Sequence, residues 1–418
     1  MKRIAIIALA LNLIGVWPSV HAQAYADGAV RGDVKTVQLY RQGAELDFPI
    51  LPLGSGRMLL EFDVLGTEPE ELRWRIVHCD RHWQPDELQP VEFLTGFAEG
   101  TIESYDFSFT TLRDYVHYTA TVPGDFAEFT YSGNYVVEVT GGEEVLLRKR
   151  FCVSEGAVKT EATVGRPYDG VDLERRQEVD VRVLAGSDNG VPAVSLRPEY
   201  LCVTVQQNGR EDNRRELTFS GYDGTALAYR YRQCNIFEGG NTFRYFDCSN
   251  LRAPMYNVAR VEEYGGEQFA ILRPEEDRSK KHYLSETTLA GGMKVNIWDR
   301  KNPRLEADYV WVNFSLPMAQ PMLEGTVHVV GALTDWRTDS TSAMEYNPRY
   351  KAYTLRLLLK QGYYAYQLLV VSRQRTEAST AHLEGNHRES PNRYTVTVYY
   401  RSPADRADRL VGVTKTIR

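Results

Sequence analysis

The chain has 418 residues, a quarter of them charged, with 49 Lys and Arg against 56 Asp and Glu for a net charge of −7. No basic block interrupts that spread, so the clustered positive charge that nucleic acid demands is missing. The length exceeds what one hydrophobic core organises, and at roughly 100–200 residues per domain it predicts two to four domains, with the internal punctuation favouring three.

Residues 1–22 read as an export signal. Lys2 and Arg3 supply a positive start, Ile4 to Trp17 an apolar core, and Val20-His21-Ala22 a small-residue cleavage site. The apolar run falls short of the ~20 residues that cross a bilayer as a helix, and Pro18 follows it, so the segment is expected to be cleaved. Gln23 stands after the cut where a bacterial lipid anchor needs Cys, and loss of the two cations takes the mature chain from −7 to −9. No later run is apolar for long enough to span a membrane, which makes a soluble protein of the envelope or exterior the expectation.

Period-two alternation then recurs to the end of the chain, while helical periodicity is nearly absent, so the expected fold is all-β. In residues 23–155, Leu60, Phe62 and Val64 share a face opposite Glu61 and Asp63, and Tyr135, Val137 and Val139 share one opposite Glu138 and Thr140. Both segments read as half-buried strands. With Thr36 to Tyr40, Leu72 to Cys79, Tyr105 to Thr110, Tyr115 to Val122 and Val145 to Val153, about seven strands form, which suits an antiparallel immunoglobulin-like or fibronectin-like sandwich.

A second sandwich is expected over residues 156–304. Its strands begin after the polar stretch Lys159 to Arg176, Asp223-Gly224 and Gly239-Gly240-Asn241 mark its turns, and a charged linker or excursion from Arg273 to Arg304 ends it. The third, over residues 305–418, opens with Val310, Val312, Phe314 and Leu316 on one face and runs through Val327 to Val330, Tyr353 to Leu359, Tyr364 to Val371 and Tyr394 to Tyr400. The 26 tyrosines suit sheets, where the ring buries while the hydroxyl stays wet.

Groups that carry chemistry are sparse. His78, Asp80 and His82 alternate and would share a strand face as metal ligands, but a turn toward Pro85 breaks that face, so neither metal nor cofactor is expected. Cys79 is either a core thiol or half of a cystine with Cys152, Cys234 and Cys248 are a second possible pair, and five cysteines leave at least one unpaired. There is no Gly-x-Ser-x-Gly, no His-Glu-x-x-His and no Walker loop, so no catalytic residue is nominated and an enzyme is not expected.

In the third domain, Val327-His328-Val329-Val330-Gly331, Asp335-Trp336 and Gly362 to Gln367 resemble the strands and tryptophan turn of starch-binding and glycogen-binding modules. On that likeness Trp336, Tyr363 and Tyr366 would stack on sugar, and a periplasmic or secreted carbohydrate-binding protein is the alternative function.

A likeness over nearly the whole mature chain is more specific. Thr36 to Tyr40, His78-Cys79-Asp80-Arg81-His82-Trp83, Glu92 to Phe97 and Ile102 to Phe109 resemble the first domain of type IX secretion system plug proteins. Gln207-Asn208-Gly209-Arg210, Gly240 to Asp247, Ala307 to Val312, Leu333 to Trp336, Leu359 to Tyr364 and Val398 to Arg401 follow in the family's order, with Thr242 and Ser390-Pro391 departing from its pattern. The resemblance implies a non-enzymatic periplasmic protein of Bacteroidetes that docks on the inner mouth of a giant outer-membrane β-barrel translocon and seals it. A broad seal needs aromatic and Arg residues at its energetic centre, which nominates Trp336, Tyr363, Tyr364, Arg401, Arg406 and Arg409. The first check is the start of the exported protein: N-terminal sequencing is expected to give Gln23 or a residue beside it, and a mature chain that keeps Met1 contradicts the export reading.

Overall fold

The computed structural model describes residues 25, 27–168, 170, 172–186, 197–373 and 377–418, so the expected export signal lies outside the described residues. Strands make up the architecture, and among the described residues helix is confined to single turns such as Pro90–Phe93 and Pro303–Glu306. They form three sandwiches, each with its own hydrophobic core.

In the first sandwich one sheet is ordered Gly28–Ala29, Glu144–Ser154, Gly133–Gly141, Leu72–Cys79 and Glu99–Ile102. The facing sheet is ordered Val34–Tyr40, Met58–Leu65, Tyr115–Val122 and Ser104–Phe107. Alternation sends Leu60, Phe62 and Val64 from one sheet and Tyr135, Val137 and Val139 from the other into a single core. Two short pairings depart from the expected antiparallel pattern: Ile50–Pro52 lies parallel to Cys152–Ser154, and Phe269–Ile271 lies parallel to Trp311–Asn313.

The other two sandwiches are nested, and the expected boundaries at 304 and 305 do not divide them. Of the last strands, Arg393–Tyr400 pairs with Leu201–Gln207 and Arg409–Ile417 pairs with Arg393–Tyr400, which brings Tyr394, Val396, Val398 and Val411 into the core of the second sandwich. The third sandwich is inserted before them, between Arg244–Asp247 and Gly362–Ser372, and its core joins Phe246, Val258 and Leu272 to Phe314, Val327 and Leu368. Strand alternation looks the same whichever sheet a strand joins, so it does not reveal this return. The expected linker is also structural. Met293–Val295 pairs with Gly362–Tyr364, and Glu275 and Arg278 are ion-paired to Arg244 and Glu384. The polar stretch after Lys159 likewise contains a strand, Val158–Gly165, paired with Glu178–Ala185.

All five cysteines are free. Cys79 and Cys152 both lie opposite Asn134, one strand on either side of it, which sets them two strand spacings or about 10 Å apart, beyond the ~7 Å Cα separation a cystine tolerates. Cys248 belongs to the third core and Cys234 packs on the second, so that pair is divided between sandwiches.

Nesting has a direct consequence for truncation. A chain ending at Asn392 strips the second sandwich of two strands and leaves Leu201–Gln207 as a bare edge. Hydrogen exchange is expected to show residues 157–238 exchanging like unfolded chain while residues 244–372 stay protected, and retained protection of 157–238 contradicts the nesting.

Candidate functional site

The faces turned away from the cores create the contacts between sandwiches. Glu61 and Asp63 point out of the first core, yet they are 5% and 0% exposed because the third sandwich covers them. Two cross-strand pairs meet there: Asp63 lies directly opposite His117 in the first sandwich, and Tyr309 directly opposite Lys360 in the third. His117 Nδ1 is 2.7 Å from one Asp63 oxygen, and the other accepts from Lys360 Nζ and Tyr309 OH, each at 2.6 Å. Thr36 Oγ1 lies 2.7 Å from the Tyr309 hydroxyl. Lys360 also donates to the Arg304 carbonyl at 2.6 Å and sits 4.1 Å from the centre of the Tyr115 ring. Glu61 accepts from Tyr40 OH and pairs with Arg304 at 3.0 Å and with His117 at 3.6 Å.

Burial alone would raise the Asp63 carboxyl, but the Lys360 ammonium and His117 outweigh it and hold it below the usual aspartate value. Burial likewise pushes His117 down, and the hydrogen bonds to Asp63 and Glu61 more than reverse this, leaving it above its ordinary 6.5. For Lys360 burial wins over Asp63, and its value is lowered. The Asp63 carboxylate and the His117 imidazolium thus each favour the charged form of the other.

The first and second sandwiches meet through Arg409, which donates to Glu155 at 2.8 and 2.6 Å, and through Ser132, which donates to Glu155 and accepts from the Leu410 amide. Beside them Cys79, Trp83, Val136, Cys152, Tyr399 and Leu410 form an apolar cluster shared by both sandwiches. The second and third meet through Glu238, which accepts from Ser379 and Thr380 at 2.8 Å, and through Asp212, which accepts from the Ala378 amide at 2.8 Å.

Between the three sandwiches lies a cleft of about 630 Å³, with Trp83 contributed by the first, Glu211 by the second and Trp336 by the third. On its wall Lys149 bridges Asp27 and Asp335 at 3.2 and 3.0 Å. Burial pushes the Cys79 and Cys202 thiols up to about 12, so they are protonated and poor nucleophiles at neutral pH. Among the described residues no three of His, Cys, Asp and Glu are arranged to hold a metal. His78 bonds Asp86 at 2.5 Å, Asp80 accepts from the His82 and Gln84 amides in the turn, and His82 is exposed, so the three alternating residues do not converge.

The six nominated interface residues do not form one patch. Tyr364 is 1% exposed within the third core and donates to the Lys360 carbonyl, so it has no surface to offer a partner. Tyr363 is half-buried and stacks on Tyr245 with ring centres 5.5 Å apart. Trp336, also half-buried, meets Phe243 edge-on at 6.1 Å and packs so closely over Gly291 that a Cβ there would collide with the indole. Tyr366, the remaining sugar-stacking candidate, is fully buried and donates to Glu275. Arg401, Arg406 and Arg409 belong to the loop and strand after Tyr400 that lean on the first sandwich, where Arg406 pairs with Glu92 and Arg409 with Glu155. Sequence reasoning missed Asp63, His117, Tyr309, Lys360 and Glu155. Alternation placed Glu61 and Asp63 off the core, but no local signal marks the surface that covers them.

Residues 34–155, the body of the first sandwich, match the family model described as type 9 secretion system plug protein 1st domain, which bears out the family resemblance there. The whole chain is similar to a hypothetical protein from Parabacteroides merdae solved by crystallography, at 28% identity and a TM-score of 0.90 over 95% of this chain and 100% of that one. No curated protein matches. No described helix is long and apolar enough to cross a membrane.

The raised His117 value fixes the sign of one pH effect. Its contribution to stability is complete below about 6.5, its unfolded value, and is lost as pH rises through the higher folded value. The lowered Asp63 contributes above its ordinary 3.8 and loses that contribution as pH falls through the folded value. The stability lost by His117→Gln is therefore expected to be largest between these limits and to shrink as pH climbs from 6.5 into the alkaline range. A wild-type minus variant difference in urea midpoint that stays flat across that range contradicts the assignment.

Proposed function

We propose that this protein is a periplasmic plug of the type IX secretion system, which docks on the inner mouth of the outer-membrane β-barrel translocon and seals it without catalysis. The observation that carries the reading is the plug first-domain match over residues 34–155. Physical form supports it. A soluble seal has to present a broad, fixed surface, and three sandwiches joined by buried and half-buried polar contacts offer area with a defined mutual register. Trp336, Tyr363, Arg401 and Arg406 remain accessible enough to contribute to a docking surface, while Tyr364 is not.

Cells lacking this protein are expected to admit large antibiotics or dyes that the outer membrane normally excludes, and to do so only when the translocon is present. The protein is expected to co-purify with that barrel from detergent-solubilised outer membranes. Equal permeability with and without the barrel contradicts the seal, and loss of polysaccharide uptake with an intact barrier turns the account to carbohydrate binding.

A further inference from the structure

The strand Ser104–Phe107 is the outer edge of its sheet, and all four of its residues are exposed. It pairs inward with Val116–Thr119, and the Ser108 amide continues that ladder to the Tyr115 carbonyl at 2.9 Å. In an antiparallel ladder alternate residues bond to opposite sides. Since Ser108 bonds inward, so do Asp106 and Ser104, and the amides and carbonyls of Tyr105 and Phe107 point outward. No backbone partner among the described residues meets them. One step on, the outward amide of Phe109 is already satisfied by the Leu305 carbonyl at 3.1 Å, so this edge accepts a main-chain partner where one is in reach.

The side chains reinforce the point. Tyr105, Phe107 and Phe109 alternate on one face and are 43%, 51% and 47% exposed, with the Tyr105 ring edge-on to Phe107 and tilted against the buried Tyr118. They are the overhanging margin of the first core. Sheet proteins ordinarily blunt an open edge with Lys, Pro or a bulge. Here residues 99–112 contain no Lys, Arg or Pro, and Ser104–Phe107 pairs without a register shift. The charge present is acidic: Glu99, Glu103 and Asp106 are exposed and make no ion pair among the described residues.

We propose that the edge Ser104–Phe107 is a strand-addition site that takes an extended segment of a partner protein in which basic residues alternate with apolar ones. Main-chain bonds to Tyr105 and Phe107 supply the pairing, apolar side chains cover the two rings, and a basic residue stands opposite Asp106. A second copy of this chain is the poorer fit: pairing Tyr105 with the other copy's Phe107 sets Asp106 against Asp106, a like-charge pair directly across the strands, and in the neighbouring registers residues 99–112 still offer Asp106 no Lys or Arg. The inference rests on the edge itself and does not require the sealing role.

The test uses the full mature protein and an acetylated, amidated peptide of alternating Lys and Val about eight residues long. Residue-resolved hydrogen exchange is expected to find the Tyr105 and Phe107 amides fast in the free protein and protected when the peptide is added. Phe107→Pro removes one outward donor while leaving the inward bonds of Asp106 and Ser108, and it is expected to weaken binding by about tenfold or more. Asp106→Lys, an exposed change that spares the ladder, is expected to do the same, and a Glu–Val peptide is expected not to bind. Protection of these amides in the free protein, protection confined to another edge, unchanged affinity in Asp106→Lys, or dimerisation through the same amides would each overturn the proposal.

Discussion

One buried carboxylate sets the relation between the first and third sandwiches. Asp63 is fully covered, and a covered carboxylate without partners is among the costliest groups a protein can hold. Its partners come from two bodies: His117 from its own sheet, Lys360 and Tyr309 from the third sandwich. Such a cluster adds little net stability over an apolar contact of equal size, because desolvating the charges consumes most of the Coulombic gain. What it adds is selectivity. A docking displaced by one residue would bury Asp63 without Lys360, so the observed register is the one in which every charge is answered. Glu155 with Arg409 plays the same part between the first and second sandwiches.

This arrangement explains both what the sequence reveals and what it hides. Period-two alternation identifies the strands and their core faces: Leu60, Phe62 and Val64 point inward as their spacing requires. The opposite face reads as solvent-exposed, because Glu61, Asp63 and Glu138 are charged. All three are buried, with Glu138 held at 0% exposure between Arg75 and Arg148. A charged residue opposite a core looks the same in sequence whether water or a neighbouring sandwich covers it. The nesting of the third sandwich is hidden for a related reason, since Arg393–Tyr400 alternates identically in either sheet. The aromatic nominations suffered in the same way: Tyr364 and Tyr366 supply core volume, and only Tyr363 of that run lies even partly at the surface.

Many of the chain's polar groups are committed to holding its own structure together. Its buried thiols are held protonated, His78 is committed to Asp86, and on the wall of the cleft between the sandwiches Lys149 is paired with Asp27 and Asp335. Its polar investment is in junctions that keep three bodies in register. The proposed seal across a wide pore would depend on that property, because a surface assembled from independently moving domains carries an ordering cost at each docking.

The most direct test of this account is a double-mutant cycle across the first junction, with Asp63→Asn, Lys360→Met and the double variant followed by equilibrium unfolding. The account predicts one cooperative transition in the wild type, a cost of about 3–5 kcal/mol for a single change that strands a charge, and a double variant less destabilised than the sum of the two. Additive effects, with the first and third sandwiches melting as separate units, would contradict it.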